Sequence, residues 1–511
     1  MKPYKTLLFL IVVFLVLSLF SFVFPKEGIQ IGSSLILKFP DIKSLIAPEE
    51  SKYADISEIL AQHQTEIAEN TKDIIEDTIK ELTDSIHVLP DSLKADIRPD
   101  SLILNDSLIE SITPKQQPGT IRQYLEYPEN NKAILYPFFN HLNNLKTSNE
   151  LIRILHYGDS QIEGDRISSY IRNELQKQFG GTGIGMFTPV IIKGTNLSMN
   201  LKLSGSWERY TIQSIKKETI SHKRLGALMS FGRFAPLNSV DNTMYYGEIN
   251  LRKSNITYRR TRKFKQCRVF YGFNEGPFIA ELKYKDQTLD AEMIPVSRQL
   301  NTISWDIDGT LDEITVSFKG EDSPDIYGIA LDDHSGIAVD NIPLRGSSGV
   351  DFTKTDLAFL RSMYQHINTK LIILQFGVNL VPYITDDYSY YEKQFYKQLK
   401  TLKSLRPDIC IIVIGVSDMS RKKDGKYVSY PNIIKIREAQ KNAAFKADCA
   451  FWDMYEAMGG ENSMPAWVKT NPALARTDFT HFTWKGSVVI SKMFYEALMN
   501  DYNEYLKNPK D

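Results

Sequence analysis

Cysteine is nearly missing from this chain, with three in 511 residues. Cys267, Cys410 and Cys449 are too few for a disulfide scaffold, and no two have metal-ligand spacing. Cys410 precedes the apolar run IIVIGV and reads as a small core residue. Histidine is scarce as well, with 8. Neither sign of charge is in excess: Lys plus Arg is 61, Asp plus Glu is 62, and the net charge is −1. That balance points to no nucleic-acid partner. G-x-S-x-G occurs nowhere, which excludes the nucleophile elbow of α/β-hydrolases. The run Gly180-Gly181-Thr182-Gly183-Ile184-Gly185 fits neither a dinucleotide nor a P-loop fingerprint. It reads as a plain turn or as a loop bordering a site. No cofactor and no metal are implied.

What remains is ordinary globular material, 42% hydrophobic and 24% charged. The length allows two or more domains and a sizeable core. Residues 7–24 form an 18-residue run without a charge, just long enough to span a bilayer. A cleaved signal peptide is the alternative, but Ser-Phe-Val-Phe-Pro offers no small-x-small site. The expectation is therefore an uncleaved anchor over 1–25. Lys2 and Lys5 would keep its tip cytoplasmic, making a single-pass inner-membrane protein with its catalytic part in the periplasm. Residues 51–83 look helical and acidic, and the heptad Tyr53, Leu60, Ile67 and Ile74 has polar companions; a solvated stalk helix is expected. Residues 84–117 repeat Asp-Ser-Leu-like triplets between prolines and read as a flexible spacer. Stalk and spacer together span 26–119.

The globular part begins near residue 120. An apolar run, Ile152 to Tyr157, stops at Gly158, and a helix-like segment follows. From about 200 to 333 the period changes. Short, partly alternating runs such as 267–273, 278–284 and 312–319 read as an antiparallel β-sandwich. Continuous apolar strands at 336–342, 371–377 and 410–416 then alternate with helical stretches, as in a parallel sheet covered on both faces. The expected fold class is α/β: a three-layer parallel-sheet domain (120–199 and 334–511) interrupted by a sandwich module (200–333), with an N-terminal transmembrane helix and stalk.

Chemistry concentrates where parallel strands end. After the first strand comes Ser160, a turn serine with no special claim by itself. After 336–342 comes Gly346. After 371–377 come Val378 and Asn379. Near the C-terminus stand Asp478 and His481, three residues apart. Each has a bland reading: turn glycines, helix caps, a structural histidine. Acyl transfer by serine needs a hydroxyl, a base, a group orienting the base, and oxyanion donors. These residues supply all four.

Gly158-Asp159-Ser160, the stretch Asn341 to Gly346, Gly377-Val378-Asn379 and Asp478-Phe479-Thr480-His481 occur in an order that resembles the SGNH, or GDSL-type, hydrolase family. The resemblance covers roughly residues 150–190 and 335–500. It implies Ser160 as nucleophile, His481 as general base and acid, and Asp478 as the orienting carboxylate. It implies an oxyanion hole from the Ser160 and Gly346 N–H groups and the Asn379 side chain. Two departures stand out: Gln161 replaces the leucine of the GDSL name, and Leu380 replaces the aspartate after the asparagine. The layout is similar to exported SGNH enzymes that deacetylate peptidoglycan and carry an inserted, carbohydrate-binding-like jelly roll. The expected activity is removal of O-acetyl groups from a cell-envelope glycan. A glycan O-acetyltransferase using the same triad, and a non-catalytic glycan binder, are the alternatives. Trp207, Tyr210, Tyr245 and Tyr246 are candidate sugar-stacking faces or core. Nothing in the sequence sets the oligomeric state.

Overall fold

Successive side chains of a strand point to opposite faces, so a continuously apolar strand feeds two cores. In the computed structural model, the described residues are 4, 7–9, 12–13, 29–31, 35–37, 53–63, 121–191, 197–237 and 243–507. Five of the apolar strands are β1 (Leu151–Gly158), β2 (Gly336–Pro343), β3 (Thr369–Gln375), β4 (Cys410–Ile414) and β5 (Ala450–Trp452). They lie parallel in the order β2-β1-β3-β4-β5, and the short strand Leu125–Glu126 closes the β5 edge antiparallel.

Six longer helices accompany this sheet: α1 (Tyr136–Asn144), α2 (Ser168–Phe179), α3 (Leu357–His366), α4 (Ser389–Leu405), α5 (Ile433–Lys446) and α6 (Trp484–Lys507). Leu155, Tyr157, Ile372, Leu374, Ile411 and Val413 share one core with α3, α4 and α5. Their neighbours Ile154, Leu371, Ile373, Ile412 and Ile414 share the other with α1, α2 and α6. This is the three-layer arrangement that the alternating strand and helix pattern requires. Burying each such side chain contributes about 1.5–3 kcal/mol before conformational entropy is counted. The strand order reverses at β1, which has β2 on one side and β3 on the other. In open parallel sheets, ligands bind outside the carboxyl ends of the strands at that switch point.

Between α2 and β2 the chain builds two antiparallel sheets. One runs Ser297–Asp306, Gln266–Asn274, Asp325–Asp332, Ser230–Arg233, Glu208–Thr211, with Gly185–Phe187 also paired to Asp325–Asp332. The other runs Gln287–Ile294, Phe278–Tyr284, Glu313–Gly320, Tyr245–Lys253, Met199–Gly205. Ile249, Val269, Phe278, Trp305, Val316, Phe318 and Ile329 fill one core between them. The first sheet's other face is covered too: Tyr327 packs on Phe359 of α3 with ring centroids 4.6 Å apart. That second burial is why Asp325–Asp332 is buried along its whole length.

An ion cluster fastens these sheets to the parallel one. Arg153 of β1 binds Asp332 at 2.6 Å and Asp340 of β2 at 2.5 Å, with all three side chains fully buried. Arg268 adds a second contact to Asp332 at 2.8 Å, and the Met186 N–H donates to Asp340 at 2.7 Å. Burial pushes the Asp340 carboxyl up to about 6 despite Arg153. At Asp332, burial is outweighed by Arg153 and Arg268, and the carboxyl is lowered.

Three expectations are corrected or bounded. Among the described residues, no helix is long and apolar enough to cross a membrane. The described helical residues near that end are Tyr4, Leu7–Phe9 and 12–13, against about 20 needed for a span. Residues 10, 11 and 14–28 lie outside the described residues. The fold class is thus α/β with extra antiparallel sheets, and the transmembrane helix is not part of it. Over its described part the stalk helix is not solvated. Ile56, Ile59 and His63, at helical spacing, are buried, and Ile56 and Ile59 join the core that holds Trp467 and Met458. The spacer at 84–117 lies outside the described residues. Residues 1–53 form a separate unit, in which Ile29–Ile31 pairs antiparallel with Leu35–Leu37.

Candidate active site

The turn that carries Ser160 is set by a close approach. A β-carbon on Gly158 would lie 2.9 Å from Gln375 O of β3, so only glycine ends β1 there. Asp159 follows, buried, and its carboxylate accepts from Gln161 N at 3.0 Å and Val378 N at 3.3 Å. Burial pushes the Asp159 carboxyl up to about 7, against the pull of those N–H donors. One side chain thereby ties the turn after β1 to the loop after β3.

Ser160 comes next, at the start of a short 3-10 turn. Its Oγ lies 2.8 Å from His481 Nε2. On the other side of the ring, Nδ1 lies 2.8 Å from Asp478 Oδ2. The second oxygen, Oδ1, accepts from the backbone N–H groups of Thr480 and His481, each at 2.9 Å. Burial raises the Asp478 carboxyl, but the His481 and Thr480 donors outweigh it and hold it below the usual carboxylate value. A carboxylate that stays ionised keeps Nδ1 protonated and Nε2 free to accept from Ser160. The Asp-x-x-His spacing works because Phe479 turns the loop with φ of 55°. Its ring stacks on Tyr427 at 3.5 Å, and Ser420 N donates to its carbonyl at 3.0 Å. Beyond the loop, α6 begins against Leu474: a β-carbon on Gly486 would lie 1.8 Å from Leu474 O.

The proposed oxyanion donors stand on the strands flanking β1. In register, Gly158 pairs with Pro343 of β2 and Gln375 of β3. Gly346 and Asn379 therefore follow the same edge of the sheet. Gly346 has φ of 78°, and nothing lies within 4 Å of where its β-carbon would be. Asn379 Nδ2 donates one N–H to Ser347 O at 2.9 Å, which ties the β3 loop to the Gly346 turn and leaves the other N–H of that amide. Leu380, where the family pattern has aspartate, closes a turn through its N–H onto Gly377 O at 2.9 Å. Asn341 stays inside β2, where it accepts from Ser168 at 2.8 Å.

Some singled-out residues lie elsewhere. The Gly180–Gly185 run meets the amino end of β2, with Ile337 N donating to Gly180 O at 3.1 Å, so it does not border the site. Of the four aromatics, Tyr210 is buried on Phe231 and Trp207 packs on Phe234 and Phe318. Only Tyr246 is well exposed, at 58%. Among the described residues, no His, Cys, Asp and Glu cluster is arranged to hold a metal.

Nothing in the sequence assigns a role to Gln161 or Arg166, yet both are buried on the turn that starts at Ser160. Gln161 was visible only as a departure from leucine. Burial, with Arg476 next, lowers the Arg166 guanidinium to about 10.

No protein-family model matches this chain, and no curated protein does. Solved structures do. A peptidoglycan O-acetylesterase aligns over 72% of this chain and 96% of its own, at 20% identity and a TM-score of 0.56. The chain has an SGNH-hydrolase-like fold. An acetyl xylan esterase (16% identity, 32% of this chain and 81% of that one, TM-score 0.25) and a GDSL-like lipase from Parabacteroides merdae (18%, 32% and 72%, TM-score 0.23) also match. At those scores they add nothing to the fold argument. Several of these SGNH-like neighbours are carboxylic ester hydrolases.

Proposed function

We propose that this chain is a serine esterase of the SGNH type that removes O-acetyl groups from a cell-envelope glycan, with peptidoglycan as the first substrate to test. The observation that carries the reading is the continuous line Ser160 Oγ, His481 Nε2, His481 Nδ1 and Asp478, with both links at 2.8 Å. The 20%-identical neighbour supports the fold and motivates the choice of substrate. A periplasmic catalytic part belongs to the same proposal, since that is where an envelope glycan would meet it.

In this reading Ser160 Oγ attacks the acetyl carbonyl carbon while its proton passes to His481 Nε2. The carbonyl oxygen becomes an oxyanion facing the Ser160 and Gly346 N–H groups and the remaining Asn379 N–H. Collapse breaks the bond to the sugar oxygen, which takes the proton from His481. Water then attacks the acetyl-enzyme by the same route and acetate leaves. Asp478 stays ionised and balances the imidazolium. Hydrolysis is favoured over transfer because the site is open: the His481 side chain is 26% exposed and that of Asp478 46%. An acceptor sugar would have to exclude water from such a site.

The test is acetate release from p-nitrophenyl acetate and from O-acetylated peptidoglycan fragments by the full chain. Residues 54–63 of the protein are kept, because Ile56 and Ile59 pack into its core. Release should disappear in Ser160→Ala and His481→Ala. Equal turnover by wild type and Ser160→Ala rejects the enzyme reading. Acetyl transfer to glycan that outruns hydrolysis assigns the transferase.

A further inference from the structure

His481 sits on a loop that belongs to no helix or strand, so the sheet does not by itself fix the distance of the imidazole from Ser160 Oγ. Two side chains from the nucleophile's own turn reach across to that loop. Gln161 Nε2 donates to Thr480 O at 2.7 Å and to Ser417 Oγ, on the loop after β4, at 3.0 Å. Arg166 Nη1 donates to Phe482 O at 3.3 Å, while its Nη2 donates to Ser160 O at 2.9 Å. Thr480 and Phe482 are the two sequence neighbours of His481. The carbonyl between them, His481 O, accepts from Arg476 N at 2.8 Å. Three consecutive carbonyls are thus pinned, and the outer two by residues one and six positions after Ser160.

Both donors are buried, Gln161 to 1% and Arg166 to 5% exposure. A buried donor network of this kind leaves costly unpaired groups if one member is removed. Leucine at 161 fills similar space and donates nothing. The position where this chain departs from the GDSL name is therefore a position where it gains a contact to the base loop.

We infer that Gln161 and Arg166 are positioning residues, which set the His481 imidazole at hydrogen-bond distance from Ser160 Oγ by holding the carbonyls on either side of it. The inference rests on the esterase reading above. Displacing a reacting group by about 1 Å can cost about 10²-fold in rate. Neither side chain is asked to touch substrate, so kcat should carry the effect and KM should not.

The experiment measures kcat and KM for p-nitrophenyl acetate with the full chain, for wild type, Ser160→Ala, Gln161→Leu, Gln161→Glu and Arg166→Lys. Gln161→Leu should lose about 10- to 100-fold in kcat, with KM within about twofold. Gln161→Glu supplies a readout that a purely structural role would not move. Its protonated carboxyl can donate to Thr480 O; its ionised form sets negative charge against that carbonyl. The ratio of its kcat to wild type should fall about tenfold between pH 5 and pH 8. Arg166→Lys retains a cation without the fork and should fall between wild type and Gln161→Leu. If Gln161→Leu does not fold, the Gln161→Glu ratio decides, because its change with pH is read on two folded proteins. An active, Ser160-dependent wild type with Gln161→Leu within twofold of it, or a Gln161→Glu ratio flat with pH, overturns this inference alone. A wild type no faster than Ser160→Ala overturns the esterase reading, and this inference with it.

Discussion

Strand β1 carries one polar cluster along its length and another just past its end. Inside the strand, Arg153 binds Asp332 and Asp340 with every side chain at 0% exposure. Two residues beyond the strand, Ser160, His481 and Asp478 join at 2.8 Å each, yet the Asp478 side chain is 46% exposed. The contact lengths are alike and the surroundings are not. Fully buried charges cannot exchange partners with water, so the Arg153 cluster can only fasten the antiparallel sheets to the parallel one. The open cluster can hand a proton to an incoming group and recover it from water. Position along a single strand, relative to the sheet edge, separates scaffold from candidate chemistry.

That contrast can be broken from either end. Ser160→Ala should remove ester turnover, by roughly 10⁴-fold or more, while thermal unfolding stays where it is. Arg153→Met should do the reverse. It leaves Asp340 buried without its cation and Asp332 with Arg268 alone, and should lower the urea-unfolding free energy by about 3–5 kcal/mol, with kcat of the remaining folded protein near wild type. Asn379→Ala removes one of the proposed oxyanion donors and its tie to Ser347. A drop of about 10²–10³ in kcat is expected in steady-state assays; a change in KM alone would mean that the amide binds substrate only.

Asp159 sharpens the comparison, because it is a buried titratable carboxyl that touches the site. Burial raises its carboxyl to about 7 from an ordinary 3.8, so folding favours the protonated form. Its contribution to stability is fully present below about pH 4 and is lost as pH rises through 7, at about 1.4 kcal/mol per pH unit. Asp159→Asn cannot ionise. Its melting temperature relative to wild type should therefore climb between pH 4 and 7, and a constant difference would contradict the assignment.

Much of this was legible in the chain. Continuous apolar runs such as LIILQ and CIIVI can satisfy only a sheet covered on both faces, and β3 and β4 are those runs. Ser160, Asp478 and His481 were readable because strand-end residues in a fixed order leave a pattern. Gln161, Arg166 and the Ser347 carbonyl were not, since the donors in these contacts find their acceptors 319, 316 and 32 residues away and leave no local period. The membrane-spanning helix was read from charge-free length alone, and no described helix meets that length. The heptad at 51–83 was read as solvated because its companion positions looked polar. His63 and Ile56, two of those positions, are buried, since the core rather than a second helix covers that face.

The most direct test is acetate released from O-acetylated peptidoglycan fragments by the 511-residue chain and by Ser160→Ala, side by side. The account expects steady release by wild type, de-acetylated glycan as co-product, and none above background from the variant. Equal release by both proteins would contradict it.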